Sequence, residues 1–485
     1  MTDRDPVSPL PSGYRILTDS QLESIHCASL EILRRTGVRV FDGEVRQLLG
    51  DAGCLISDGD LVKFPPALVE EAVRRAPSRI VLCTRTGRPT ILLEAHRSYF
   101  GTGSDLPNTR DLETGERRPS VLADIGRAAR LADALPNLDF VMSMAQASDV
   151  PQPTSDRHAF LAMMENSVKP AVFTAWDHAG LADIIAMAEE IAGGAEQLAL
   201  SPFLLAYLEP SSPLQHPEEV MRKVLLMADK GLPFVYAPGP IDGASAPMTS
   251  AGGVAMANAE VLSGLAIAQL RRAGTPVLYG SGSGPLDMKT SVATYFSPEF
   301  IRHCLVMAEL GHYYYGLPTW GFSGCSDSKL PDVQAGVESA IWILATALSG
   351  ANLVHDIGYI ESGLTCSLEM MVIGDEIIEC VRRLLAPFDL SPEALALDTI
   401  DDVGPGGDFL STPHTRRHFR ECWYPRVFDR RTHQTWQAAG GLSATEGARD
   451  TARQLLASHT PEPLDASLLQ TLRAIVGAAD SRTQA

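Results

Sequence analysis

From about residue 98 the chain repeats one pattern, and that pattern limits the folds open to it more than any other feature. Short apolar runs that end in Gly, Ser, Pro or an aromatic residue recur as SYFGTGSD, DFVMSMAQASD, PAVFTAWDH, PFLLAYLEPSSP, PFVYAPGPIDGASAP, PVLYGSGSGP, LPTWGFSGCSD and NLVHDIGYIESG. Between them lie helical stretches such as VLADIGRAARLADAL, HPEEVMRKVLLMADKG, AMANAEVLSGLAIAQLRRAG and SPEFIRHCLVMAELGHYYYG. Several stop at Gly, with a Pro opening the next run, which is a helix stop followed by a strand start. Eight βα units in series predict an α/β chain folded as a (β/α)8 (TIM) barrel over residues 98–388. A doubly wound open sheet is the competitor, but no GxGxxG turn follows an early strand.

The flanks read differently. Residues 15–75 are predicted helical: LTDSQLESIHCASLEILRRTG places a Thr/Asp/Ser cap before apolar residues at three- and four-residue spacing and stops at Gly37. FPPALVEEAVRRAP repeats the pattern with Pro at its start, and RIVLCTRTGRPTILLE alternates about TRTGRP as a hairpin does. Residues 1–97 are therefore an N-terminal helical and hairpin extension. Residues 389–485, Pro-, Asp- and Gly-rich at first and then helical, form a C-terminal extension expected to pack on the barrel or at a subunit contact.

The net charge of -19 argues against a nucleic-acid partner, which requires a basic surface. Met1 to Leu22 carries both signs of charge and no apolar core of a signal peptide. No apolar run of about 18 residues stands out as a membrane span, so a cytoplasmic location is expected. The eight cysteines are scattered without CxxC spacing and read as reduced thiols.

In a barrel of this kind, functional groups sit on the loops after the C-terminal strand ends. Trp176, Tyr207, Tyr236, Tyr279, Trp320 and Tyr359 all fall in or just after predicted strands. Converging on one mouth they would line a pocket suited to a quaternary ammonium ion through cation–π attraction; the alternative is that they are core aromatics. The polar strand-end groups are Asp105, Gln146, Glu209, Asp327, Gln334, His355 and Glu361. Alternation in NLVHDIGY points His355 inward, either as a satisfied core residue or as a partner for a substrate carboxylate or carbonyl. Asp332 is the better helix cap in SDSKLPD, and Asp327 and Lys329 read equally well as a surface ion pair. GSGSGP at 280–285 lacks the Lys and Thr of a P-loop and reads as a close backbone approach to a flat ligand or partner. His303, Cys304, Cys325 and Cys366 lack the paired spacing of a closed zinc site, and no metal is expected. No GxSxG or Cys/His pair offers a nucleophile.

GFSGCSDSKLPDVQAG, followed by ALSGANLVHDIGYIESGLTCSLEMMVIGDEII, resembles the trimethylamine methyltransferase family. GSDLPNTRDLETGERRPSVLADI, LEPSSPLQ and IDGASAPMTSAGGVAMANAEVLSG resemble further segments of that family in the same order. The resemblance covers roughly residues 17 to 450. It implies a barrel that binds a methylated amine and presents its methyl group to a cognate corrinoid protein, whose cobalt(I) is the nucleophile. This chain would then supply no catalytic nucleophile and hold no cofactor of its own, the corrinoid (cobalamin) being carried by the partner. It also implies a homo-oligomer. Gly280, Gly282, Gly321 and Gly324 become candidates for a surface that faces the corrin, and Trp320 with its neighbours the substrate end. The founding archaeal enzymes carry pyrrolysine, whereas every residue here is a standard one. Relatives of that kind resemble demethylases of quaternary amines such as glycine betaine, proline betaine or carnitine, whose methyl leaves a nitrogen that is already cationic. The alternatives are a tertiary-amine (trimethylamine-like) demethylase, a non-catalytic quaternary-amine-binding protein, and a Schiff-base lyase using Lys289 or Lys329, both of which lie in polar loops rather than a dry site.

Overall fold

The computed structural model describes residues 14–484. At the N-terminal end, Thr18 caps Asp19–Glu31 and forms a capping box with Gln21, as its Thr/Asp/Ser start predicts. Pro66–Arg75 begins with its proline at the first turn, and Ile80–Cys83 pairs with Pro89–Leu93 as the expected hairpin. The region from 15 to 75 is not helical throughout. Val38–Val40, Leu61–Lys63 and Leu55–Ser57 form an antiparallel sheet, joined in parallel by Gln215–His216. These strands have three residues each at most, too few to impose a legible period of two on the sequence.

The eight apolar runs account for one succession of parallel pairings. Gly101, next to Tyr99–Phe100, bridges to Phe140, and Val141 bridges to Ala171. Ala171–Phe173, Leu204–Leu208, Phe234–Tyr236 and Val277–Tyr279 then pair in that order. Tyr279 bridges to Thr319, Trp320–Phe322 pairs with Leu353–His355, and Leu353 pairs with Tyr99. The succession thus returns to its own first strand. A helix follows each member: Leu122–Ala134, Ser155–Asn166, His178–Ala192, Glu218–Lys230, Ser250–Arg271, Pro298–Glu309, Val333–Ser349 and Leu368–Leu384. Left-handed Gly193, Gly231 and Gly350 end three of them, the conformation glycine adopts without steric cost. The chain is α/β, with parallel strands inside and helices outside.

Ser250–Arg271 corrects one expectation. It is long and apolar enough to cross a membrane, yet 89% of its most apolar window is buried inside the molecule, where it lies between the strands and the N-terminal helices. At the far end, Ala444–Ser458 packs along Leu368–Leu384, with Arg449 paired to buried Glu369 at 3.2 Å. Ala466–Gln484 lies beside His178–Ala192. The intervening residues, 386–442, fold into short helices that bury nothing: Pro392–Leu395, Leu397–Val403, Pro413–His418 and His433–Ala438.

Candidate functional site

The carboxyl ends of the parallel strands surround a cavity of about 680 Å³. Which side chains reach it follows from strand parity, since successive residues point to opposite faces. Phe322 and His355 are partners in register on adjacent strands and both line the cavity. Trp320 and Leu353, two residues earlier, share that face one layer deeper. Trp320 is 1% exposed and stacks on His355 with ring centroids 4.4 Å apart, so it forms the floor beneath the site rather than its wall. Tyr207 flanks the same group, 5.4 Å from Trp320 and 5.9 Å from His355.

Aromatic rings and carboxylates stand out among small Ala, Gly and Ser residues in the lining. Tyr207, Tyr359, Tyr295, Phe322 and Trp176 face it together with Asp105, Glu209, Asp156 and Asp356. Tyr207 donates to Glu209 Oε1 at 2.5 Å, and Thr174 donates to Asp105 Oδ1 at 3.2 Å. Both acids open onto the cavity while protein encloses them, and burial raises both above the usual carboxylate range. The Tyr207 hydrogen bond opposes that rise at Glu209, and Ser104 and Thr174 oppose it at Asp105. Asp156 is raised by burial against the pull of Arg157, 2.9 Å away, and it accepts from the backbone of Trp176 at 3.0 Å. The Trp176 indole, whose side is half exposed, is further held by Ser155 at 2.9 Å. Lys223 gives its ammonium to the carbonyl of Ala175 at 2.7 Å, and burial lowers its pKa.

His355 and Asp356 form the other pole. Their Nδ1 and Oδ1 atoms lie 2.5 Å apart without the angles of a hydrogen bond, and both ring nitrogens and both carboxylate oxygens are buried without a hydrogen-bond partner. Asp356 holds φ at 83°, Asp105 at 64° and Met144 at 57°, all at strand ends around the cavity. Left-handed backbone at non-glycine residues costs about 1–3 kcal/mol each and is concentrated where function demands it.

Of the residues singled out from the sequence, Asp105, Trp176, Tyr207, His355, Tyr359 and Gly282 line the cavity, as do Gln146 and Glu209. The others lie elsewhere. Tyr236 and Tyr279 are in register with each other and with Leu208, one residue out of step with Tyr207, so they face the helix layer. Tyr236 bonds His216 at 2.5 Å, and Tyr279 bonds Asn258 of Ser250–Arg271 at 2.7 Å. Glu361 is taken by Arg117 at 2.7 Å, Asp327 accepts from the backbone of Tyr295 at 2.9 Å, and Gln334 reaches Glu338 on the exposed side of its helix at 2.9 Å. Lys329 bonds the Asp327 carbonyl at 2.8 Å rather than its carboxylate, while Asp332 caps Val333–Ser349 as expected.

The glycines have interior reasons for being small. A Cβ on Gly280 would lie 2.5 Å from the Trp320 carbonyl oxygen, one on Gly282 2.7 Å from the Phe322 ring, and one on Gly321 3.1 Å from Ala351. Gly324 holds φ at 74° against Ile357. Gly280, Gly321 and Gly324 are buried and do not line the cavity.

Tyr295, Phe322, Asp156, Lys223 and Asp356 were not anticipated. Tyr295 precedes a helix and Lys223 lies within one, so no strand-end signal marks them. Asp356 was legible, since it adjoins His355 at the same strand end. Among the described residues, Glu393, His414 and His418 bring their ligand atoms within 4.8 Å of one another, a grouping that cysteine and histidine spacing did not reveal. It lies in the C-terminal extension, outside the cavity, and Glu393 already pairs with Arg417 at 2.7 Å.

Residues 4–482 match the profile of the family described as trimethylamine methyltransferase (MTTB). The chain is 32% identical to trimethylamine methyltransferase MttB of Desulfitobacterium hafniense, over 96% of this chain and 94% of that one. It is 33% identical to MttB2 of Methanosarcina mazei, over 96% and 95%. Glycine betaine methyltransferase of Desulfitobacterium hafniense is 29% identical over 96% of each. The solved monomethylamine methyltransferase MtmB of Methanosarcina barkeri aligns with a TM-score of 0.49 at 13% identity, over 91% of this chain and 88% of that one. The chain belongs to the trimethylamine methyltransferase family, and with it to the methyltransferases.

Proposed function

We propose that this chain transfers a methyl group from a quaternary amine, such as glycine betaine, proline betaine or carnitine, to the reduced cobalt of a corrinoid carried by a partner protein. The observation that carries the reading is the cavity itself, whose aromatic and acidic lining suits an ammonium ion. The succession of parallel strands and outer helices supports a (β/α)8 barrel over 98–388, with 1–97 and 389–485 as extensions. The cavity then occupies the end where such barrels carry their chemistry.

In this reading Tyr207, Tyr359 and Trp176 surround the cationic head, while Asp105 and Glu209 neutralise its charge. Enclosure strengthens both effects, because the local dielectric is low. His355 and Lys223 offer donors to a carboxylate at the other end of a betaine. The corrinoid supplies the nucleophile: the methyl carbon passes to cobalt as its bond to nitrogen breaks, and nitrogen keeps the electron pair. No proton is needed at a quaternary nitrogen. The chain's own contribution is therefore orientation, exclusion of water and selection of charge.

A second reading, transfer from a tertiary amine, is favoured by the greater identity to the proteins named trimethylamine methyltransferase than to the one named glycine betaine methyltransferase. One assay separates the two. The purified chain is mixed with cob(I)alamin and, in turn, glycine betaine, proline betaine, carnitine and trimethylamine, and methylcobalamin is followed by absorbance. The proposal expects methylation with at least one quaternary amine. Methylation by trimethylamine alone would overturn it in favour of the second reading, and methylation by none would leave a binding protein.

A further inference from the structure

Two short helices of the C-terminal extension meet through side chains that can ligate a metal. Glu393 lies on Pro392–Leu395, and His414 and His418 lie on Pro413–His418. The two histidines are four residues apart, so they share one face of their helix, with ring centroids 4.3 Å apart. One ligand atom from each of the three residues falls within 4.8 Å of the others. Glu393 Oε1 and His418 Nε2 are 3.2 Å apart. That is close to the ~3.3 Å between neighbouring ligands on a tetrahedral zinc with bonds of about 2.0–2.1 Å.

The neighbours fix which atoms would coordinate. His418 Nδ1 lies 2.7 Å from Glu421 Oε1, and a carboxylate there accepts the Nδ1 proton. That bond holds the ring and leaves Nε2, the atom beside Glu393, for a metal, which is the carboxylate–histidine–metal arrangement. His414 Nε2 lies 3.1 Å from the Glu393 carbonyl oxygen, which brings its ring to the same place. Arg417 holds the Glu393 carboxylate at 2.7 Å, and ligating carboxylates are commonly hydrogen-bonded in this way. The segment also lacks any other anchor. No residue from 386 to 424 is buried, and its α-helices have four to seven residues. Helices shorter than about 12–15 residues are marginal alone, and a structural metal is one substitute for a missing core.

We propose that Glu393, His414 and His418 form a zinc site that ties Pro392–Leu395 to Pro413–His418, with Glu421 orienting His418. Water completes the coordination. Two imidazoles favour zinc over calcium or magnesium, which take oxygen ligands. Iron uses the same donor set, but in oxygen-activating sites that keep open positions for substrate. Here the cluster lies outside the cavity and the Glu393 side chain is 57% exposed. The zinc therefore holds the fold of the extension and takes no part in methyl transfer.

The test uses the full chain without an affinity tag, stripped of metal and titrated with zinc against a chromophoric chelator. The wild type is expected to bind about one zinc per chain. Glu393→Gln and His418→Gln are each expected to bind at least about a hundredfold more weakly, and Glu421→Gln about ten- to a hundredfold. Thermal melts without metal check that each variant folds as the wild type does. If a ligand variant fails to fold, Glu421→Gln decides, since undiminished affinity there overturns the proposal. Zinc is also expected to slow tryptic cleavage at Arg416, Arg417 and Arg420 in the wild type and not in His418→Gln. A wild type that binds no zinc, or that prefers ferrous iron, would overturn the site. So would zinc binding indifferent to Glu393→Gln and His418→Gln, which would put the metal elsewhere. Binding at the site without protection from trypsin would overturn its role as a tie.

Discussion

Tyr207 and Tyr236 sit on adjacent parallel strands, and Tyr236 is partnered in register by Leu208 rather than by Tyr207. That one-residue offset puts Tyr207 at the cavity, with its hydroxyl on Glu209, and Tyr236 among the outer helices, with its hydroxyl on His216. Both are strand-end tyrosines and both are hydrogen-bonded. The inner face of the strands gathers enclosed acids, left-handed backbone and polar atoms without a hydrogen-bond partner, features that the proposed function assigns to a ligand. The outer face is built for permanence, with each buried polar group of Tyr236, His216 and Ser263 answered by another. The difference teaches that residue type at a strand end is ambiguous until parity assigns the face.

The largest expected effect belongs to Trp320, which lies on the inner face but below the ligand layer. Trp320→Ala removes a fully buried ring and should cost about 3–5 kcal/mol of stability, read as a lowered denaturant midpoint at unchanged slope. A variant as stable as wild type with weakened amine binding would lift Trp320 from the floor to the wall and break the layer assignment. Next, Tyr236→Phe leaves His216 Nδ1 buried without its partner. The cost should be about 1–3 kcal/mol, with affinity for tetramethylammonium unchanged by calorimetry. An altered affinity would blur the two faces.

The third prediction concerns pH. Burial raises Asp105 and Glu209 in the empty site, so part of their population is protonated above the ordinary carboxylate range. A bound cation favours the ionised forms. Affinity for tetramethylammonium should therefore rise with pH above that range, by up to about tenfold per unit for each proton released, and level off once both acids are charged. Calorimetry in buffers of different ionisation enthalpy would detect the released protons, and flat affinity without release would contradict the acidic pole. The smallest effect is at Trp176, half open to solvent: Trp176→Ala should lose about 0.5–1 kcal/mol of cation–π attraction, roughly a two- to fivefold weaker dissociation constant. A loss of a hundredfold would place Trp176 at the centre of the site.

Much of this was legible in the residues. The eight apolar runs and their punctuation located every member of the parallel succession, because buried strands and amphipathic helices leave different periods. Short strands such as Val38–Val40 and Leu55–Ser57 were lost inside a region predicted helical, since three residues carry no period. In the site, alternation in NLVHDIGY correctly turned His355 inward. Alternation within one strand does not fix the register between strands, and it is the register Leu208–Tyr236–Tyr279 that separates Tyr207 from the other two. Lys223 and Asp156 were out of reach, because they come from helices and enter the cavity only through packing that local sequence does not encode. Glycines 280, 321 and 324 looked like features of an open surface, and their smallness instead accommodates Trp320, Ala351 and Ile357.

The central claim is that the enclosed acids and aromatics of the inner face hold an ammonium head. It is tested most directly by calorimetric titration of tetramethylammonium into the wild type and into Glu209→Gln, which keeps the shape and removes the charge. The account predicts saturable binding to the wild type, at least about tenfold weaker binding to the variant, and melting temperatures that agree. Equal affinities in two equally folded proteins would contradict it.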